Sequence, residues 1–82
     1  MTDADRKRRN SLLASLAFAD GSSVARALRD ELESVHNVAV TLDRVRADLR
    51  VLADIGALRL DGDRAMLTAE GREHVDRLLE LF

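Results

Sequence analysis

The sequence predicts a mainly helical fold with a small β-hairpin, the winged helix-turn-helix. Three observations predict it: apolar residues recur at helical spacing, two alternating segments flank a turn at residues 61–64, and a capped polar helix precedes them. The 82 residues leave room for a single domain, residues 1–82. The predicted order is helix, helix, short strand, helix, strand, strand, helix.

Composition excludes several classes of protein. Apolar residues make up 46% of the chain and charged residues 34%, which argues against disorder, and no apolar run approaches the roughly 18 residues of a membrane span. The absence of cysteine excludes disulfides and thiolate metal sites. Since the first residues lack the basic-then-apolar order of a signal peptide, we expect a cytoplasmic protein without a membrane partner, in a bacterial cell or the host of a phage.

Two helices are predicted first. Residues 5–18 carry leucines at helical spacing, and the turn Asp20–Ser23 supplies serines that can cap a second helix over Val24–Val35. The short β-prone piece Val38–Val40 follows and leads to Thr41. We therefore place the isolated strand after the second helix.

The third helix has clear start and stop signals. Thr41 is a good N-cap, Asp43 lies in the first turn, where the helix dipole favours an anion, and Gly56 ends the helix near residue 55. Its apolar stripe consists of Leu42, Val45, Leu49, Leu52 and Ala53. The opposite face is polar and has the small Ala47 in its middle.

A hairpin and a last helix complete the chain. The expected cross-strand pairs are Leu60 with Ala65, Leu58 with Leu67 and Arg59 with Met66, around a four-residue tip. Thr68 caps the last helix. The apolar stripe of this helix consists of Val75, Leu78, Leu79 and Phe82.

This layout indicates DNA binding, because a helix fits the major groove and the hairpin reaches the neighbouring backbone. The predicted DNA contacts are Thr41, Arg44, Arg46, Ala47 and Arg50 on the third helix and Arg64 at the hairpin tip. The alternative is a solvated face, because each helix arginine has an acid at helical spacing. These pairs are Arg46 with Asp43, Arg44 with Asp48 and Arg50 with Asp54.

A basic run near the N-terminus is a second candidate for DNA contact. Arg6, Lys7, Arg8 and Arg9 form either a phosphate-binding arm or a solvated first turn of the first helix. Arg59 on the hairpin is a further candidate for a phosphate contact.

No catalytic or metal-binding pattern is present in the sequence. His36 and His74 lie far apart and have no cysteine partner. The chain has neither a Ser–His–Asp order nor a glycine-rich loop that cradles phosphate. We therefore expect a protein that is not an enzyme and that holds no cofactor and no metal.

Val40–Leu49 and Leu52–Leu58 resemble the third helix of small winged-helix proteins encoded by Mu-like bacteriophages and prophages. Leu67–Arg72 is similar to the L-T-x-x-G-R opening of the last helix in that family, and in MarR-, PadR- and ArsR-like regulators more widely. The resemblance covers roughly residues 5–80. It implies a winged-helix fold and the role of a phage- or prophage-derived transcriptional regulator. ArsR-type metal sensors use cysteine sites, which this chain lacks.

Two partners other than DNA are also considered. The apolar residues near the C-terminus, which cover the core or form the interface of a homodimer, are Val75, Leu78, Leu79, Leu81 and Phe82. The net charge is −2, and residues 51–82 hold seven acidic residues against four arginines. The alternative function is therefore a protein-interaction module without DNA binding, which docks on a host or phage protein through its acidic C-terminal half.

Overall fold

A computed structural model describes residues 2–80 and confirms a mainly helical fold with a small antiparallel sheet. The elements are α1 (Asp3–Phe18), β1 (Ser22–Val24), α2 (Ala25–Ser34), α3 (Leu42–Asp54), β2 (Leu58–Asp61), β3 (Arg64–Leu67) and α4 (Ala69–Glu80). Every helix in this part of the chain is too short or too polar to span a lipid bilayer.

β2 and β3 form the predicted hairpin, which we call the wing (residues 58–67). The predicted pairs of Leu58 with Leu67, Arg59 with Met66 and Leu60 with Ala65 are confirmed. The predicted four-residue tip is wrong, because Asp61 also pairs with Arg64 and only residues 62 and 63 form the turn. Gly62 turns the chain at the tip with a φ of +59°, which costs glycine little. The register buries Leu58 and Ala65 in the core and leaves Arg59 and Arg64 exposed.

The predicted position of the isolated strand is wrong. Residues 38–41 have no regular structure, and β1 instead precedes α2 and pairs antiparallel with β3, so that the sheet order is β1-β3-β2. Ser22 and Ser23 pair in this strand instead of capping α2, whose N-cap is Val24 without a side-chain hydrogen bond. The three residues of β1 are too few to show a periodicity in the sequence. They form a strand because β3 has an open edge with which they can pair.

The core lies between the helices and one face of the sheet. Its buried apolar residues are Leu12, Leu13, Leu16, Ala25, Leu28, Leu32, Val45, Leu49, Leu52, Ala57, Leu58, Ala65 and Val75. On α3 the predicted stripe is confirmed for its three central residues, while Leu42 and Ala53 are half-buried. Asp48 is also fully buried, with 0% exposure, although it is charged.

Thr68 joins the last helix to the chain before the wing. Its hydroxyl accepts a hydrogen bond from the Gly71 N–H at 3.1 Å, which confirms the predicted cap, and donates to the Gly56 carbonyl at 2.6 Å. A Cβ atom at Gly71 would overlap with the carbonyl oxygen of Ala57. The first turn of α4 therefore packs against the backbone before β2 at a distance that requires glycine.

Candidate nucleic-acid interface

The N-terminus of α3 is fixed by its cap. Thr41 has an extended backbone, and its Oγ1 accepts a hydrogen bond from the Arg44 N–H at 3.2 Å, which confirms it as the N-cap. Asp43 lies in the first turn of the helix. The cap leaves Thr41 and Arg44 both exposed at the start of α3.

α3 is packed on one side and open on the other. The helix packs mainly against α2 and β2 through Val45, Leu49 and Leu52. The outer face carries the residues predicted to contact DNA: Thr41, Arg44 and Arg50 are exposed, and Arg46 and Ala47 are half-buried. All five predicted contacts on α3 and its cap are therefore open to solvent at least in part.

Only one of the three predicted ion pairs along this helix forms. Arg46 Nη1 lies 3.8 Å from Asp43 Oδ1. Asp48 points into the protein instead of toward Arg44, and within residues 2–80 the guanidinium groups of Arg44 and Arg50 make no ion pair or hydrogen bond. The predicted helical pairs of these two arginines are therefore not formed: Asp48 is buried, and Asp54, although exposed on the same helix, makes no ion pair with Arg50.

Arg46 has a second and closer partner on the wing. Its Nε and Nη2 donate to the two carboxylate oxygens of Asp63 at 3.0 and 2.7 Å, a bidentate pair. These hydrogen bonds raise the pKa of Arg46 and lower the pKa of Asp63. The charge of Arg26 also lowers the pKa of Asp63. Arg26 follows Ala25, whose N–H donates to the Asp63 carbonyl, so it lies near the wing tip.

The wing tip is held against the start of α2. The Asp63 carbonyl accepts a hydrogen bond from the Ala25 N–H at 2.9 Å, and Arg64 Nη1 donates to Ser22 Oγ at 2.9 Å. Arg59 and Arg64 are both exposed, as a phosphate contact requires. Asp61 and Asp63 are exposed beside them, so that the tip carries both signs of charge.

The N-terminal basic run divides into two pairs of residues. Arg6 and Lys7 are exposed, and Arg6 Nη2 lies 3.3 Å from Asp3 Oδ1. Arg8 and Arg9 are half-buried and turn toward α3, where Asp48 accepts hydrogen bonds from both. A phosphate contact by this run stays a prediction. Arg6 and Lys7 could make it as they stand, whereas Arg8 and Arg9 would first have to leave Asp48 and break the contact between α1 and α3.

Asp48 is the centre of that contact. Arg8 uses Nε and Nη2 on its carboxylate, and Arg9 Nε lies 3.1 Å from Oδ1. Arg8 Nη2 also donates to Asp5 at 2.7 Å, and hydrogen bonds from Arg8 and Thr2 lower the pKa of Asp5 from 3.8 to about 2. The hydrogen bond to Asp48 raises the pKa of Arg8.

The two histidines have structural partners. His36 Nε2 lies 3.1 Å from Ser15 Oγ, and His74 Nε2 lies 3.3 Å from Asn10 Oδ1. Among residues 2–80, no group of three His, Cys, Asp or Glu side chains is placed to hold a metal ion. These contacts join α1 to the segment after α2 and to α4.

The predicted dimer residues occupy different environments. Val75 is 1% exposed and belongs to the core, so it is not available to a second chain. Leu78 is half-buried, Leu79 is 47% exposed, and Leu81 and Phe82 lie outside the described residues. Phe18, which the sequence did not single out, is 69% exposed and lines a crevice with Leu78 and Leu79.

Sequence analysis missed the roles of three residues around α3. Asp48 has the spacing of a surface acid, and its burial depends on two arginines that lie about 40 positions earlier in the chain. Asp63 follows Gly62 in the turn of the hairpin, where aspartate is common, so its presence there gives no hint of a partner on α3. Arg26 lies on α2, away from the predicted third helix. None of these positions carries a local signal, because each depends on contacts between elements.

Solved structures with the same architecture are similar to this chain. F93 from STIV, a winged-helix DNA-binding protein, matches with a TM-score of 0.82 at 21% identity, over 94% of this chain and 88% of F93. The fold is a winged helix. A second structure, hsRosR-S1 solved as a complex, matches with a TM-score of 0.75 at 24% identity, over 99% of this chain and 71% of hsRosR-S1. No protein-family model and no curated protein matches the chain.

Proposed function

We propose that this winged helix binds double-stranded DNA, with α3 in the major groove and the wing on the neighbouring backbone. One observation carries the proposal: α3 presents Arg44 and Arg50 outward and unpaired within residues 2–80, while the acid between them in sequence, Asp48, is buried behind the helix. Guanidinium groups are suited to guanine edges and to phosphate oxygens. The proposal is supported by F93, which has this fold and is a DNA-binding protein.

The other proposed contacts follow from position. Thr41 and the half-buried Ala47 lie on the same outer face, where small side chains let the helix backbone approach the bases. Arg64 and Arg59 on the wing face solvent and would contact phosphates, as would Arg6 and Lys7 on α1. Phosphate contacts position the protein, and the contacts of α3 with base edges would give it sequence preference.

The proposed biological role is a transcriptional regulator of phage or prophage origin in the bacterial cytoplasm. The resemblance of residues 40–58 and 67–72 to proteins of Mu-like phages supports this origin. Regulation of this kind would follow from occupancy of DNA by the winged helix.

We propose that the protein acts as a homodimer through α1 and α4. Phe18 and Leu79 are large apolar side chains that are exposed on these helices, and α4 packs on α1. A dimer at this surface would leave both α3 helices open to DNA. Sedimentation equilibrium tests the proposed dimer. We expect the wild type to be a dimer and the Leu79→Lys variant to be a monomer. A wild-type monomer at all concentrations would contradict the proposal.

Binding to DNA is tested by fluorescence anisotropy with a labelled mixed-sequence duplex in a salt series from about 50 to 200 mM. Wild-type affinity should fall steeply with salt. Arg50→Ala should reduce the magnitude of the slope of log K against log salt by about one, because it removes one phosphate-neutralising charge.

Arg77→Ala is the matched control, because Arg77 is an exposed helical arginine on α4. It should leave the slope unchanged. The proposal fails if the wild-type protein does not bind at the lowest salt, or if Arg50→Ala and Arg77→Ala behave alike.

A protein partner is the second candidate function, and one observation favours it. Ile55 is exposed at the end of α3 beside a crevice of about 380 Å³ with an apolar floor that includes Leu13, Val51 and Leu52. Exposed apolar surface of this kind marks many protein-interaction sites. Capture of a stoichiometric partner from nuclease-treated host lysate, lost with Ile55→Glu and accompanied by absent DNA affinity, would favour it over DNA binding.

A further inference from the structure

The contact between Arg46 and Asp63 spans two elements that are both proposed to meet DNA. Arg46 lies on the outer half of α3, and Asp63 lies in the turn at the wing tip, 17 residues later. Two hydrogen bonds of 3.0 and 2.7 Å join the guanidinium to the two carboxylate oxygens. The guanidinium edge that would contact DNA therefore already holds an anion.

Asp63 is held in place by its own backbone. Its carbonyl accepts the hydrogen bond from the Ala25 N–H at 2.9 Å, at the start of α2, and Gly62 provides the turn before it. The carboxylate therefore projects from a segment that is fixed on the α2 side. It lines the same crevice of about 180 Å³ between α3 and the wing as Arg46 and Arg50.

A carboxylate and a DNA acceptor compete for the same edge of Arg46. The bidentate arrangement seen with Asp63 is the arrangement that a guanine edge offers through O6 and N7. Both acceptors cannot be bound at once by the same two N–H groups. Asp63 also carries a negative charge that repels phosphates at the wing tip.

We propose that Asp63 determines specificity on the DNA surface: it occupies Arg46 until a guanine edge with two acceptors replaces it. This inference rests on the DNA-binding function proposed above. The side chains of Arg46 and Asp63 are 42% and 52% exposed, so solvent weakens the pair and displacement is cheap. A phosphate can also accept both hydrogen bonds, but it places a second negative charge beside Asp63, whereas a guanine edge accepts both hydrogen bonds without adding a charge. Asp63 therefore weakens binding to DNA that offers no guanine to Arg46.

The test uses Asp63→Asn, which keeps the size of the side chain and removes its charge. Asp61→Asn is the matched control, because Asp61 is an exposed aspartate at the end of β2, next to the turn, and does not bond Arg46. The double variant Arg46→Ala with Asp63→Asn shows whether any gain depends on Arg46. Anisotropy is measured with one labelled duplex that contains guanine and one built only from A·T pairs, each in a salt series. Thermal unfolding confirms that every variant is folded.

We expect Asp63→Asn to bind the A·T duplex about two- to fivefold more tightly than the wild type, with a salt slope steeper by about one. The gain should be smaller on the guanine duplex and should disappear in the double variant. Asp61→Asn should change the affinity for both duplexes equally and leave the slope as it is.

Three results would overturn the inference. Equal effects of Asp63→Asn and Asp61→Asn would show that only total charge matters. Weaker binding by Asp63→Asn at an unchanged slope would show that Asp63 positions Arg46 for DNA instead of competing with it. Equal gains on the two duplexes would exclude a role in specificity. Failure of the wild type and of every variant to bind either duplex would instead refute the proposed function itself.

Discussion

Two clusters of arginine and aspartate include residues of α3, and they differ in how much water reaches them. Asp48 is fully buried between α1 and α3 and accepts hydrogen bonds from two arginines. Asp63 is exposed on the wing and shares one arginine with Asp43. Both are hydrogen-bonded ion pairs of arginine and aspartate. Asp48 cannot replace its arginines by water, because it is buried, whereas Asp63 and Arg46 can replace each other by water.

This difference separates structure from function on one helix. A buried carboxylate that loses its arginines has no other source of compensation, so the Asp48 cluster fixes where α3 lies against α1. An exposed arginine can exchange a carboxylate for another acceptor at a small cost in free energy, because water already weakens the pair. Arg46 therefore stays available to a ligand. Three predictions test this contrast, from the largest expected effect to the smallest.

Removing the buried carboxylate should have the largest effect on stability. Asp48→Ala leaves Arg8 and Arg9 without their shared partner and should lower the free energy of unfolding by about 3–5 kcal/mol in urea titrations. Asp48→Asn, which keeps one acceptor oxygen, should cost less. Asp54→Ala, at an exposed position on the same helix, is the control. If Asp48→Ala cost no more than Asp54→Ala, the buried cluster would not hold α3.

Acid should weaken the outer part of the same cluster. The pKa of Asp5 falls from 3.8 to about 2 in the folded protein, so its stabilisation is fully present above pH 3.8 and is lost as the pH falls toward 2. We expect the difference in free energy of unfolding between wild type and Asp5→Asn to be constant near neutral pH and to shrink in that window. A difference that stays the same down to about pH 2 would contradict this assignment.

Breaking the exposed pair should have the smallest effect on stability. Arg46→Ala should lower the Tm slightly at about 0.01 M salt, and the difference from wild type should vanish at about 1 M, because salt screens exposed charges. Arg8→Ala is the comparison, since Arg8 is largely buried and its contribution should persist at high salt. Persistence of the Arg46 effect at high salt would mean that the wing pair is structural.

Local signals predicted much of the fold correctly. The N-cap Thr41, the cap Thr68 and the register of the wing depend on residues within a few positions of one another, so the sequence alone reveals them. The position of the isolated strand was wrong, because β1 depends on β3, about 40 residues later. The outward position of Arg44 and Arg50 followed from helical periodicity, whereas the partners of Arg46, Arg8 and Arg9 did not.

The sequence by itself determined the helices, the caps Thr41 and Thr68, the hairpin and the arginines of the outer face of α3, because helical periodicity and turn chemistry act over short distances. Only the tertiary structure decided which charges are paired. A charged side chain three or four positions from an opposite charge has a local partner available, but a partner on another element can hold it in a better geometry. Asp48 binds Arg8 on α1, and Asp63 binds Arg46 on α3. These contacts between elements distinguish the arginines that have a tertiary partner from those that face solvent without one within residues 2–80.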